Sequence, residues 1–312
     1  MNKQFAPMIG RIEDNLAGVI KGKKESIRLL LISMLAGGHT LLEDVPGTGK
    51  TTLAKSMARS IDGQFRRVQF TPDLLPADIT GSMTYNPQDG SFIFREGPVF
   101  ANVLLADEIN RTSPRTQAAL LEVMSERQVT VDGIRRALPN PFFVIATQNS
   151  IEFHGTYPLP EAQLDRFTMC VSLGYPEFKD EIDILYGQNT EHPYDALKPV
   201  VSCVEMSAML DEVKKVQLEK SVGEYIVRLI EATRLDARLK LGISPRGSLA
   251  LYRTAQARAL IEGRDYVDPS DVRALAIPVL AHRVMLDTKA KYGGTRTRNV
   301  IEDAIEKIPV PR

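Results

Sequence analysis

Residues 41 to 52 read LLEDVPGTGKTT, and within them two glycines, a lysine and two threonines stand where a phosphate cradle needs them. Gly47 and Gly49 free the backbone to turn its N–H groups inward, and the N-terminus of a following helix completes an anion-binding nest. Lys50 is spaced to bridge the β- and γ-phosphates of a nucleotide, and the Thr51 hydroxyl to ligate Mg2+. Pro46, Thr48 and Thr52 complete the set expected against the nucleotide. The full motif, G-x-x-x-x-G-K-[ST], asks for glycine at position 44, where this chain has Asp44. Aspartate tolerates unusual turn conformations and can hydrogen-bond the loop backbone, so its carboxylate is expected to face away from phosphate. Without context the run would be a glycine-rich helix cap with an exposed lysine. The strand HTLLE before it and the helix TLAKSMARSI after it supply that context.

Downstream, VLLADEIN (residues 103–110) is an apolar strand ending in two carboxylates. Asp107 is placed to hold the Mg2+ shell and Glu108 to activate an attacking water. Asn149, in ATQN at the end of the next apolar strand, is a candidate to orient that water. Taken singly, an acidic pair or an asparagine at a strand end is a common solvated turn. The loop upstream is what gives the acidic pair its weight.

The elements that must position these residues form an alternating pattern. HTLLE, RRVQF, ANVLLA, FFVIATQ and TMCVSL read as five strands, with helices over ESIRLLLISMLAG, KTTLAKSMARSI, PRTQAALLEVMSER and PEAQLDR. Continuous apolar strands between helices indicate a parallel sheet covered on both faces. MTYNPQDGSFIF and RQVTVDGIRRAL carry hairpin signals and read as insertions. After Gly174, Tyr175 and Pro176 the pattern turns helical, with Asp268 or Ser270 available to cap the last long helix. We therefore expect a nucleotide-binding α/β core over 1–176, a helical domain over 177–287 and a loosely packed polar tail over 288–312.

Composition limits the function. The 39 basic and 39 acidic residues cancel, so no global field draws the chain to nucleic acid or membrane. Cys170 and Cys203 have neither disulfide nor metal-site spacing, as a reducing compartment would allow. The N-terminus lacks a signal-peptide core and no apolar run is long enough to span a bilayer, so a soluble, cytoplasmic protein is expected. His154, with no second ligand nearby in sequence, reads as structural.

Taken together, the loop, VLLADEINR, QFTPDLLPADITG, FREGPVFANVLLADEINRTSPRTQAALLEVMSERQVTVDG, ATQNS, GTYPLPEAQLDRF and GISPRGSLAL resemble the MoxR family of AAA+ ATPases. The resemblance spans residues 10 to 285, with Ser150 standing where a proline is expected. It implies a P-loop AAA+ core with a five-stranded parallel sheet and inserted hairpins, followed by an all-helical lid. The strand before Asn149 should lie between the other two nucleotide strands. It implies ATP with Mg2+, adenine held at Val19 and Ile20, and a hexameric ring. Arg166 in EAQLDRF would act as an arginine finger on the neighbouring subunit's γ-phosphate, and Arg246 in SPRGS as a lid arginine on phosphate in cis. A planar, permanently charged guanidinium suits both tasks. The two hairpins would touch substrates. The resemblance further implies a chaperone-like role with von Willebrand factor A domain partners and an unnamed client complex. Two other readings compete: a nucleic-acid motor, disfavoured by the zero net charge, and a nucleotide sensor without turnover, disfavoured by Glu108.

Overall fold

The computed structural model describes residues 5–88, 90–148, 156–187 and 193–311. Two helices, α1 (Phe5–Val19) and α2 (Lys24–Leu35), precede the first strand, β1 (Thr40–Glu43). The core continues through α3 (Lys50–Ser60), β2 (Phe65–Gln69), α4 (Pro76–Thr80), β3 (Gly81–Tyr85), β4 (Phe92–Glu96) and β5 (Val103–Asp107). It is completed by α5 (Pro114–Glu126), β6 (Gln128–Val131), β7 (Ile134–Ala137), β8 (Phe143–Gln148), α6 (Glu161–Leu164) and β9 (Met169–Val171). All five expected strands form one parallel sheet in the order β2-β5-β8-β1-β9. The strand leading to Asn149 therefore lies between β5 and β1, as the resemblance implied.

Side-chain alternation explains why the inner runs are largely apolar, whereas the edge strand β2 carries Arg66, Arg67 and Gln69. Leu42, Val103, Leu105, Phe143 and Ile145 join one buried cluster with α1, α2 and α3. Leu41, Leu104, Ala106, Val144 and Ala146, the residues between, join a second with α5. A strand buried on both faces has no place for polar alternation. The functional consequence is rigidity: Asp107 and Gln148 end strands whose preceding residues are fully enclosed.

Both hairpins are present as inserted two-stranded ribbons, β3 with β4 and β6 with β7. Asp132 and Gly133 turn the second with positive φ angles of 50° and 76°, as a tight hairpin requires. Gly81 opens the first at φ 93°, and a Cβ there would lie 2.4 Å from the Arg95 carbonyl oxygen. Tyr85, Phe92 and Ile93 on this ribbon are each more than half exposed.

The second domain contains α7 (Phe178–Tyr186), α8 (Cys203–Val213), α9 (Lys220–Leu235), β10 (Leu239–Leu241), α10 (Pro245–Ile261) and α11 (Pro269–Leu280). It closes with β11 (Met285–Leu286), α12 (Thr288–Tyr292) and α13 (Thr297–Lys307). Its described residues are mainly helical, with the short β10–β11 ribbon and a single bridge between Gln217 and Tyr266. Asp268 caps α11, its carboxylate accepting the Ser270 N–H at 2.7 Å. α8 starts at Cys203, where Ser202 and Glu205 form a reciprocal capping box. The expectation of a loose C-terminal tail is corrected: α13 buries Val300, Ile301 and Ala304 against α9 and α11. Three apolar residues at helical spacing suffice to dock an otherwise polar segment.

α1, which sequence reading did not anticipate, buries Ile9, Ile12 and Leu16 between α3 and α10. With α2, which packs on α8 and α10, it merges the core and the helical domain into one apolar cluster. Among the described residues no helix is long and apolar enough to cross a membrane.

Candidate functional site

The loop after β1 turns on Gly47 and Gly49, both left-handed at φ 84° and 85°. A Cβ at Gly47 would meet nothing, so conformation rather than crowding calls for glycine there. Lys50 opens α3, and its ammonium donates to the Val45 carbonyl at 2.7 Å, lying across the loop it would share with an anion. Thr51 and Thr52 follow in the first turn, where backbone N–H groups are unsatisfied by the helix itself.

Across a cleft of about 480 Å³ stand the carboxylates. Pro46, Gly47, Gly49, Lys50, Thr51 and Thr52 line one wall, Asp107 and Glu108 the other. Asp107 accepts the Thr147 hydroxyl at 2.6 Å on one oxygen and Arg67 at 2.6 Å on the other. Glu108 sits at φ 57°, its amide donating to the Thr147 hydroxyl at 2.8 Å. Left-handed backbone in a non-glycine residue is strained and collects at functional sites. The Glu108 carboxylate accepts Gln69 at 2.7 Å and Arg111 at 3.0 Å.

Thr51 and Asp107 offer oxygen ligands on facing walls, the donor type Mg2+ takes when waters and substrate phosphates fill its remaining positions. The described residues contain no cluster of three or more His, Cys, Asp or Glu that would cage a metal without substrate.

A second cavity of about 210 Å³ adjoins the first through Gly47, Gly49 and Thr52. Val19, Ile20 and Thr48 line it, together with Gly174 and Pro176 after β9 and Ile184 of α7. The two cavities thus share the loop's glycines, one running toward Val19 and Ile20 and the other toward the carboxylates. Asp44 sits beside it with its carboxylate turned to backbone: one oxygen accepts Val45 N–H at 3.0 Å, the other Leu173 at 2.6 Å and Gly174 at 3.0 Å. The aspartate fastens the loop to the segment leading into the helical domain, which a glycine could not do.

Two expected residues lie outside both cavities. Arg166 donates to the Leu121 carbonyl at 2.8 Å and the Ser125 hydroxyl at 2.9 Å, at the far end of α5. Arg246 is exposed in the first turn of α10. Asn149 and His154 fall outside the described residues. Sequence reading missed Arg67, Gln69 and Arg111, which hold the two carboxylates. Polar side chains ending β2, the strand beside β5, were the available signal.

Comparison with known proteins agrees with this geometry along the whole chain. The model for the ATPase family associated with various cellular activities (AAA) matches residues 39–169, and the AAA lid domain matches 231–304. The chain is 48% identical over 305 residues to the uncharacterised protein YeaC of Bacillus subtilis, spanning 98% of this chain and 95% of YeaC. It is 39% identical over 303 residues to chaperone MoxR1 of Mycobacterium tuberculosis, spanning 94% of this chain and 80% of that one. A solved structure from Cytophaga hutchinsonii is 39% identical with a TM-score of 0.93, covering 100% of this chain and 97% of that chain. With the loop and the acidic strand end facing each other, the match of both family models and of relatives over nearly the whole chain shows that it is an ATP-hydrolysing enzyme belonging to the MoxR family of AAA+ ATPases.

Proposed function

We propose that this ATPase takes Mg-ATP in the joined cavities and couples its hydrolysis to the remodelling of a protein complex. The observation that carries the reading is the opposition of Lys50 and Glu108 across one cleft whose apolar extension reaches Val19 and Ile20. Adenine lies against Val19 and Ile20. The backbone from Pro46 to Gly49, with Thr52, wraps the phosphates, and Lys50 neutralises charge on the β- and γ-phosphates. Mg2+, held by Thr51 and Asp107, supplies further charge neutralisation at the phosphates. Glu108 takes the proton of the attacking water, and Asn149 orients that water.

Arg246 reaches phosphate when the lid closes. Arg166 serves the site of the next subunit in a hexameric ring, which accounts for its position outside its own cleft. The kinship to a protein named chaperone MoxR1 supports a chaperone-like role. We assign a von Willebrand factor A domain protein as partner, a client complex as substrate and the cytoplasm as location. The exposed aromatic ribbon at Tyr85 and Phe92 is the surface that meets the client.

A pull-down with Glu108→Gln tests this. The variant should bind Mg-ATP, hydrolyse none, and hold partner and client in an ATP-dependent complex that chelation of Mg2+ dissolves. Hydrolysis at the parental rate by this variant would refute the assignment of Glu108.

A further inference from the structure

The residues on either side of Arg166 are gripped by the lid. Arg283, in a short helical turn (residues 281–283) after α11, has a side chain only 2% exposed and pairs with the Asp165 carboxylate. The same guanidinium donates to the Asp165 carbonyl at 2.8 Å and the Phe167 carbonyl at 2.5 Å, while its Nε donates to the Val279 carbonyl at 2.7 Å. His282 donates from Nε2 to the Phe167 carbonyl at 3.1 Å. Burial and the neighbouring Arg283 push the His282 pKa down to about 3, so the ring stays neutral and adds no charge of its own.

The other end of this contact is the helix that bears Arg246. Ser244, the N-cap of α10, donates its hydroxyl to the second Asp165 oxygen at 2.9 Å. Gly247, one residue past Arg246, packs so closely that a Cβ would lie 3.3 Å from Arg283 Cδ and 2.4 Å from Ile243. A buried arginine whose every nitrogen has an acceptor is stiff, and removing Asp165 leaves a desolvated charge. Lid movement at Ser244 and Arg283 is therefore passed to the Asp165–Phe167 backbone rather than absorbed.

We propose that Asp165, Arg283 and Ser244 form a clasp through which the Arg246-bearing lid helix sets the position of Arg166, so that nucleotide contact in one subunit adjusts the arginine offered to the next. The proposal rests on the reading of Arg166 as acting in trans. Asp165, Arg283 and Ser244 are positioning residues that touch no nucleotide. A displacement of one ångström at a group stabilising a transition state can lower the rate on the order of a hundredfold, so small lid shifts suffice.

The test mixes two full-length variants. Glu108→Gln subunits keep nucleotide and Arg166 but cannot hydrolyse, and so act only as donors of the arginine. Arg166→Ala subunits keep an intact cleft and act only as acceptors. The mixture should regain activity in rings verified by light scattering. Adding Ser244→Ala to the donor should then lower kcat at least fivefold, with KM for ATP unchanged within twofold, and Ser244→Thr should restore it. Placed on the acceptor, Ser244→Ala should change kcat less than twofold. Equal losses in both placements, no loss in either, or a loss only on the acceptor would overturn the clasp. If the unmodified mixture regains nothing, action in trans fails and the clasp fails with it. Asp165→Asn provides the same donor-against-acceptor comparison should Ser244→Ala lower the melting temperature.

Discussion

The cleft between Lys50 and Glu108 and the segment around Arg166 belong to the same chain but are organised on opposite principles. Lys50 opens a helix and Asp107 ends a buried strand, and the carboxylates of Asp107 and Glu108 already have partners in Thr147, Arg67, Gln69 and Arg111. Both walls of the cleft come from one chain. Arg166 instead holds the end of α5, outside the lining of its own cleft, and its neighbours are gripped by the lid. Preorganised charge lowers a barrier without rearrangement at the moment of reaction. On the proposed reading Arg166 meets its target only when another subunit is in place, which would make turnover conditional, with the cleft supplying chemistry and the Arg166 segment control.

The largest effect that could break this contrast is at Lys50. Lys50→Ala should reduce ATP affinity beyond measurement by titration with a fluorescent analogue, while Glu108→Gln keeps affinity within a few-fold and loses turnover. The first removes a direct phosphate contact and the second only the base. Comparable affinity losses in both would mean that the two walls of the cleft are not functionally separate.

Next in size is Arg166→Ala, expected to bind ATP normally and to hydrolyse it on the order of 10³-fold more slowly, as for other arginines that act in trans. Mixing it with Lys50→Ala should return part of the activity, measured as phosphate release per subunit. Normal turnover by Arg166→Ala alone would erase the distinction between cleft and control segment.

A smaller effect is expected at Asp44, which ties the loop to the segment after β9. Asp44→Gly restores the usual motif residue, so ATP affinity should change only a few-fold. The amides of Leu173 and Gly174 lose a charged acceptor, however, and thermal or urea unfolding should register a loss of about 2 kcal/mol. A variant as stable as the parent would show that these bonds contribute nothing net.

The gentlest test uses pH. His39 is buried with its pKa lowered from 6.5 to about 4, chiefly by burial, while its ring accepts from Val144 and donates to the Met124 carbonyl. The unfolded chain binds the proton that the folded chain refuses, so stability falls as pH drops from about 6.5 toward 4. The slope is about 1.4 kcal/mol per pH unit within that window. His282 acts in the same direction. His39→Gln should flatten the melting-temperature curve between pH 4 and pH 6.5 while leaving ATP turnover at neutral pH within twofold. An unchanged slope would show that His39 takes up its proton without unfolding.

The sequence by itself determined the sheet, the loop and the acidic strand end, because each depends on local chemistry. Period-free apolar runs demand burial on both faces, Gly47 and Gly49 demand left-handed backbone, and Lys50 follows them at fixed spacing. Tertiary structure decided everything that depends on which elements come together. α1 was missed because its apolar stripe of Ile9, Ile12 and Leu16 has meaning only against α3 and α10. The tail was misread because three buried side chains of α13 outweigh its polar composition. The roles of Asp44, Gln69 and Arg283 were hidden for the same reason. Their partners lie 129, 39 and 118 residues away, and a hydrogen bond across such a distance leaves no periodic trace in the chain that makes it.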